Sequence, residues 1–171
     1  MSCKCFDNQV IDVIGLCDTD NFNIDTTTTP NWTEISIPEV LAIPPQKPDI
    51  ETIDKVFVKV KIISKRVVET PDSAGGDNAE GTQLTGRKLI IEGILKQKVV
   101  YTANVPRQTV HSAHFDIPFS AFIVIDGNTD LDAQFCVKPC VEDVFIKALN
   151  DREVFKNVTV LFTAVPLIPC P

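Results

Sequence analysis

Arg87-Lys88-Leu89-Ile90-Ile91-Glu92-Gly93-Ile94-Leu95-Lys96-Gln97-Lys98 is the stretch whose reading decides the fold. Leu89, Ile91, Gly93 and Leu95 share one parity and are apolar or small. Glu92, Lys96 and Lys98 share the other, so the segment has the period-two pattern of a half-buried strand. Helical geometry would scatter both sets around an axis. The alternation runs on to Ala103, pauses at Pro106, and resumes as Arg107–Asp116 and Pro118–Ile125, two strands or one bent strand. Asp126-Gly127-Asn128 then reads as a turn.

Upstream, Val56, Val58, Val60 and Ile62 keep one parity from Lys55, and Val67 and Val68 straddle both parities, which predicts a bulge near Ser64. Pro71–Gly86, with Gly75-Gly76-Asp77-Asn78 and Gly81, has the composition of an exposed hairpin loop. Downstream, Leu131–Val137, Val141–Leu149 and Glu153–Val165 complete the strand count, with Asn150-Asp151-Arg152 as the last turn. The fold class expected is all-β, a β-sandwich or partly open barrel of about eight strands with an extended N-terminal arm. Residues 1–50 read as that arm and a Pro/Thr-rich linker containing short strands, and residues 51–171 as the β-domain with a cysteine-bearing tail. No internal repeat supports a solenoid.

Composition agrees with this class. The chain has 171 residues, of which 44% are hydrophobic and 23% charged, enough for one core of ordinary size. Twelve prolines and a single Met favour strands and turns over a helical bundle. A formal charge of −7 would repel a phosphate backbone, so nucleic acid is not an expected partner. Lys55, Lys59, Lys61, Lys65 and Arg66 alternate with apolar residues, which reads as the solvated face of a strand and protection of an exposed edge. No apolar run reaches the roughly 20 residues that span a bilayer, and no signal-peptide core follows Met1, so neither a membrane nor classical export is expected.

The order Ile91-Glu92-Gly93, Tyr101, Val110-His111 and Ile117-Pro118-Phe119 resembles the SPOCS domain, a spore-coat-associated domain of endospore-forming bacteria. The likeness continues more loosely through Val141–Val165, where Asp151-Arg152-Glu153 separates two apolar runs. It implies a structural role on the spore surface (coat, exosporium or appendage) without known catalysis, in a protein made in the mother cell. Gly93, Tyr101, His111, Pro118 and Phe119 carry the family motif.

The cysteines are the sharpest local signal outside that motif. Cys3 and Cys5 would point to the same side of an extended arm, and Cys170 sits at the opposite end of the chain. Cys17, Cys136 and Cys140 complete the set, all six being candidates for bridges between subunits, with internal bridges and free thiols as the alternatives. A turn at Pro139 would close Cys136-Val137-Lys138-Pro139-Cys140. Zinc is the rival reading, but Cys3-Lys4-Cys5 departs from knuckle spacing, and no metal or other cofactor is expected.

His111 and His114, three apart on a strand, face opposite ways and so do not share a metal. The loop Asp126–Asp132 offers alternating oxygens to calcium, though turn chemistry accounts for the same residues. No nucleophile elbow or phosphate loop is present, and no enzyme is expected. Trp32 and Tyr101 supply too few large amphipathic aromatics for a sugar platform.

The expected function is therefore a self-assembling structural protein of the spore surface, a filament or lattice of identical subunits. In this reading the arm, through Val10, Ile11, Val13 and Ile14, adds a strand to a neighbour and disulfides fix the joint. The competing expectation is a non-enzymatic adaptor that docks on a coat morphogenetic protein. Other coat or exosporium proteins are possible further partners.

Overall fold

The computed structural model describes residues 11–18, 31–77 and 83–167. Seven strands are present among them: β1 (Asp12–Ile14), β2 (Trp32–Ala42), β3 (Ile50–Asp77), β4 (Gln83–Ala103), β5 (Val110–Val124), β6 (Phe135–Ala148) and β7 (Glu153–Pro166). One sheet has the order β1-β3-β4-β5 and the other β2-β7-β6. All pairings are antiparallel except β1 with β3, and the sheets do not close into a barrel.

The alternation in β4 is what the core is built on. Leu89, Ile91, Leu95, Val99 and Tyr101 all face the second sheet and are buried almost completely. Burying each large side chain of this kind stabilises the fold by about 1.5–3 kcal/mol. From the second sheet Val154, Val158, Val160 and Phe162 of β7 meet them. Gly93, in phase with this row, lies opposite Phe119 of β5. A Cβ at Gly93 would run into the Phe119 ring and stand 2.7 Å from the carbonyl oxygen of Lys61. The glycine is therefore demanded by the close approach of a ring and a neighbouring strand.

The expected bulge is present, as the β3–β4 register shifts between Ile62 and Ser64. The extra residue reverses the parity of β3, so that Lys65 and Val67 take the inward positions opposite Ile91 and Leu89. Lys65 reaches across the sandwich and donates to the Phe135 carbonyl at 2.6 Å.

Of the two alternatives for Arg107–Ile125 the single strand is the one present, beginning at Val110, and Pro118 is tolerated because β5 is an edge. Three expectations need correction. Leu131–Val137 and Val141–Leu149 likewise merge into β6, leaving seven strands instead of about eight, and Leu131-Asp132 is a turn. The Pro71–Gly86 loop is mostly ladder, with Asp72 opposite Thr85 and Asp77 opposite Gln83, while positive φ at Ala74, Gly75 and Gly86 accommodates its irregular register. Both faces of that ribbon meet water, so no hydrophobic period marked it.

The third concerns the supposed arm. Residues 31–50 are integral to the sandwich: β2 pairs with β7 from Trp32 to Ala42, and Leu41, Ile43 and Ile50 are buried. Pro38 is accommodated because β2 is an edge strand, where a missing N–H costs little. No structural break falls at residue 50, because β3 begins there.

Replacing Gly93 by Val should cost about 1–3 kcal/mol or more through overpacking against Phe119 and β3. Equilibrium denaturation checks this, and unchanged stability would show that the approach is loose.

Candidate functional site

The cysteines divide between one bridge and one free thiol among the described residues. Cys17 is bonded to Cys140 within the chain, across a separation of 123 residues. The Cys17 amide also donates to the Val141 carbonyl at 2.9 Å, so backbone and sulfur both tie this segment to β6. The expectation of intermolecular bridges at Cys17 and Cys140 is therefore overturned. The proposed turn at Pro139 is absent too, since β6 runs straight through it on the sheet edge. Four positions apart in an extended strand, Cys136 and Cys140 stand about 13 Å from each other, too far to bridge. Cys136 keeps a free, half-buried thiol. Cys3, Cys5 and Cys170 lie outside the described residues.

The described part of the strand-addition arm also turns inward. Val10 lies outside the described residues, but Ile11 and Val13 pack on the core, and Asp12–Ile14 pair in parallel with Lys55–Phe57 of the chain's own β3. Lys55 and Asp12 form an exposed ion pair at 3.6 Å. Gly15 follows with φ 114°, where a Cβ would strike the Val58 carbonyl. Apolar side chains find cover on the parent sheet and the bridge at Cys17 holds them there, which corrects the reading of Ile11, Val13 and Ile14 as a donor strand. Beyond Phe57 no described strand lies beside β3 on that side, so Val58 onward is an open edge. Lys59 and Lys61 lie along it exposed to solvent.

The family-motif residues pair across β4 and β5 at two separate places, Gly93 with Phe119 beside Pro118, and Tyr101 with His111. Tyr101 is fully buried, donates its hydroxyl to the Pro48 carbonyl at 3.0 Å, and stacks on His111 with ring centroids 6.0 Å apart. Its burial removes it from any sugar-binding surface. Beside it, Arg152 donates to the carbonyls of Ile43 and Pro44, each at 2.9 Å, to that of Lys47 at 2.7 Å, and to the Asp49 carboxylate at 2.8 Å. Sequence reading assigned Arg152 to a turn and missed this clamp. Burial pushes the Tyr101 phenol above its ordinary pKa, with Arg152 opposing and Asp49 adding to the shift.

Also missed were three polar groups inside the core. Lys156, fully buried, stands 2.9 Å from Oε2 of Glu39, its register partner on β2. Gln97 of the opposite sheet donates to the same oxygen at 3.3 Å. Desolvation drives the Lys156 ammonium pKa down, while the neighbouring Glu39 carboxylate opposes that shift. The signal was available in the parity, since Lys156 is in phase with Val154 and Val158, and Gln97 with Leu95 and Val99.

On the outer face of the first sheet, Ile14, Phe57, Lys59, Lys96, Lys98 and His114 line part of an open groove of about 730 Å³. Here Lys98 lies over the Phe57 ring at 4.4 Å and Lys96 is paired with Asp116 at 2.7 Å. His111 and His114 occupy opposite faces, as expected for neighbours of odd spacing. In the Asp126–Asp132 loop, Asp126 accepts the Asn128 amide at 2.8 Å, the pattern of an Asx turn. No group of three potential metal ligands occurs among the described residues.

Arg152→Ala should lower stability by about 2 kcal/mol, because the proline-rich carbonyls lose charge-assisted donors. The stability that neutral Tyr101 contributes is fully present below the unfolded phenol pKa and disappears as pH rises through the higher folded value. Phenolate absorbance of this sole tyrosine should therefore appear above the ordinary range and together with unfolding. Reduction of Cys17–Cys140 should cost about 4–5 kcal/mol on loop-entropy grounds, read by denaturation with and without reductant.

The family model described as SipL, SPOCS domain, matches residues 49–149. That span holds β3 to β6 and every motif residue. Neither a curated protein nor a solved structure matches the chain. No helix among the described residues is long and apolar enough to cross a membrane. With more than half of its length matched, including the Gly93–Phe119 contact and the Tyr101–His111 stack, the chain belongs to the SPOCS-domain family of spore-coat-associated proteins.

Proposed function

We propose that the chain is a non-enzymatic structural protein of the spore surface, which assembles with further copies of itself through open sheet edges and is locked there by disulfides. Cys136 carries this reading. It stands near the start of β6, an edge strand of the β2-β7-β6 sheet, with its thiol unbonded and partly accessible. An edge strand offers unpaired N–H and C=O groups to another chain, and a thiol there lies within reach of whatever strand docks.

The open length of β3 beyond Phe57 offers a second edge, on the opposite sheet. Contact between unlike edges is heterologous, so its repetition builds a filament, or a lattice where lateral contacts are added. Cys3, Cys5 and Cys170, outside the described residues, are the cysteines of a neighbour that Cys136 would meet. Cys17 and Cys140 take no part, being bonded to each other. Covalent closure makes dissociation depend on reductant, the property a protective layer needs. The same edges suit other coat or exosporium proteins.

Electron microscopy and denaturing electrophoresis of the oxidised protein test this directly. Assemblies should survive hot denaturant without reductant and dissolve with it. Cys136→Ser should remove that resistance while leaving the unfolding of the sandwich unchanged. A chain that stays monodisperse at high concentration under oxidising conditions would overturn self-assembly in favour of an adaptor docking on a coat morphogenetic protein.

A further inference from the structure

The core contains an amine, a carboxylate and a primary amide in one contact, on three different strands. Lys156 projects from β7, Glu39 from its register partner position on β2, and Gln97 from β4 in the opposite sheet. Lys156 is 0% exposed, Glu39 13% and Gln97 4%. Both nitrogens approach the same oxygen, Glu39 Oε2, Lys156 Nζ at 2.9 Å and Gln97 Nε2 at 3.3 Å. They can be no further apart than those two distances laid end to end. Two atoms of the group, Lys156 Nζ and Gln97 Oε1, are buried without a hydrogen-bond partner, the Lys156–Glu39 contact being too oblique to count as a directed bond.

A buried ion pair with unfilled hydrogen-bonding capacity is costly, and desolvation favours transfer of the ammonium proton to the carboxylate. The result is a neutral amine, which is a nucleophile, beside a neutral carboxylic acid, which is a donor able to polarise an amide carbonyl. Enclosure by packed side chains supplies the proximity that makes amide exchange feasible without an enzyme.

We propose that Lys156 and Gln97 form an intramolecular isopeptide bond across the sandwich, with Glu39 directing the protons. The Lys156 Nζ lone pair attacks Gln97 Cδ while the Glu39 carboxylic acid donates to Oε1. Glu39 then relays a proton from the attacking nitrogen to Nε2, the Cδ–Nε2 bond breaks and ammonia leaves. One C–N bond forms and one breaks, nothing is oxidised or reduced, and the proton first taken from the ammonium remains on Glu39. In the product the carboxylic acid donates to the new amide's oxygen and accepts from its N–H. The buried charges are removed, and both atoms that lacked partners acquire one.

Intact mass of the full, reduced and denatured chain tests this. The expected mass is one ammonia below that of the sequence, trypsin should fail to cut after Lys156, and digestion should yield a branched peptide joining the Gln97 and Lys156 segments. Glu39→Gln should restore the full mass. Because that change alters a buried group and folding with it, Lys156→Arg serves as a second variant, which keeps the positive charge and should also restore the mass. A native chain with the full mass of its sequence would overturn the proposal. So would ammonia loss mapped to another site or persisting in Lys156→Arg.

Discussion

The passage from one sheet to the other is the constraint on which the sandwich depends. Residues 43–49 connect β2 to β3 through Pro44, Pro45 and Pro48, and a proline offers a carbonyl without an N–H. Within the crossing the Lys47 amide donates to the Pro44 carbonyl at 2.9 Å, but with so few N–H groups there the further donors must come from elsewhere. Arg152 answers with a guanidinium that reaches three of those carbonyls and the Asp49 side chain, and Tyr101 donates to Pro48 from the core side. The turn before β7, the central strand β4 and the crossing are thereby held by one polar junction.

The family motif, spread over β4 and β5, meets that junction at Tyr101. Gly93 admits Phe119, and Tyr101 packs on His111 as it caps the crossing. For Gly93, Phe119, Tyr101 and His111 the packing role is visible in their neighbours. The chemistry that packing does not explain lies elsewhere, in the thiol of Cys136 and in the Lys156, Glu39 and Gln97 group.

Period-two reading succeeded where one face is dry and the other wet. The parity of β4 and the bulge near Ser64 were legible for that reason, because a single inserted residue moves every later side chain to the other face. Reading faltered where the signal was not periodic. The Pro/Thr-rich composition of residues 1–50 disguised β2 and its junction as a linker, the ribbon around Asp72 and Thr85 has two wet faces, and sulfur pairing depends on distances that spacing does not encode. Arg152 looked like a turn residue because its partners are carbonyls remote in sequence. Lys156 was legible in principle, since a lysine in phase with valines on an otherwise buried face is a violation that calls for a partner.

The Cys17–Cys140 bond also governs how the molecule bears mechanical load. Tension pulled through the chain on either side of that bond passes from Cys17 directly to Cys140 and bypasses everything between them, including β2, β3, β4 and β5. Among the described strands, only β1, the remainder of β6 and β7 lie in the loaded path. Under oxidising conditions, stretching can therefore peel β7 from its neighbours while the covalent loop limits how far the four-stranded sheet can be drawn out, and a reducing environment removes that limit.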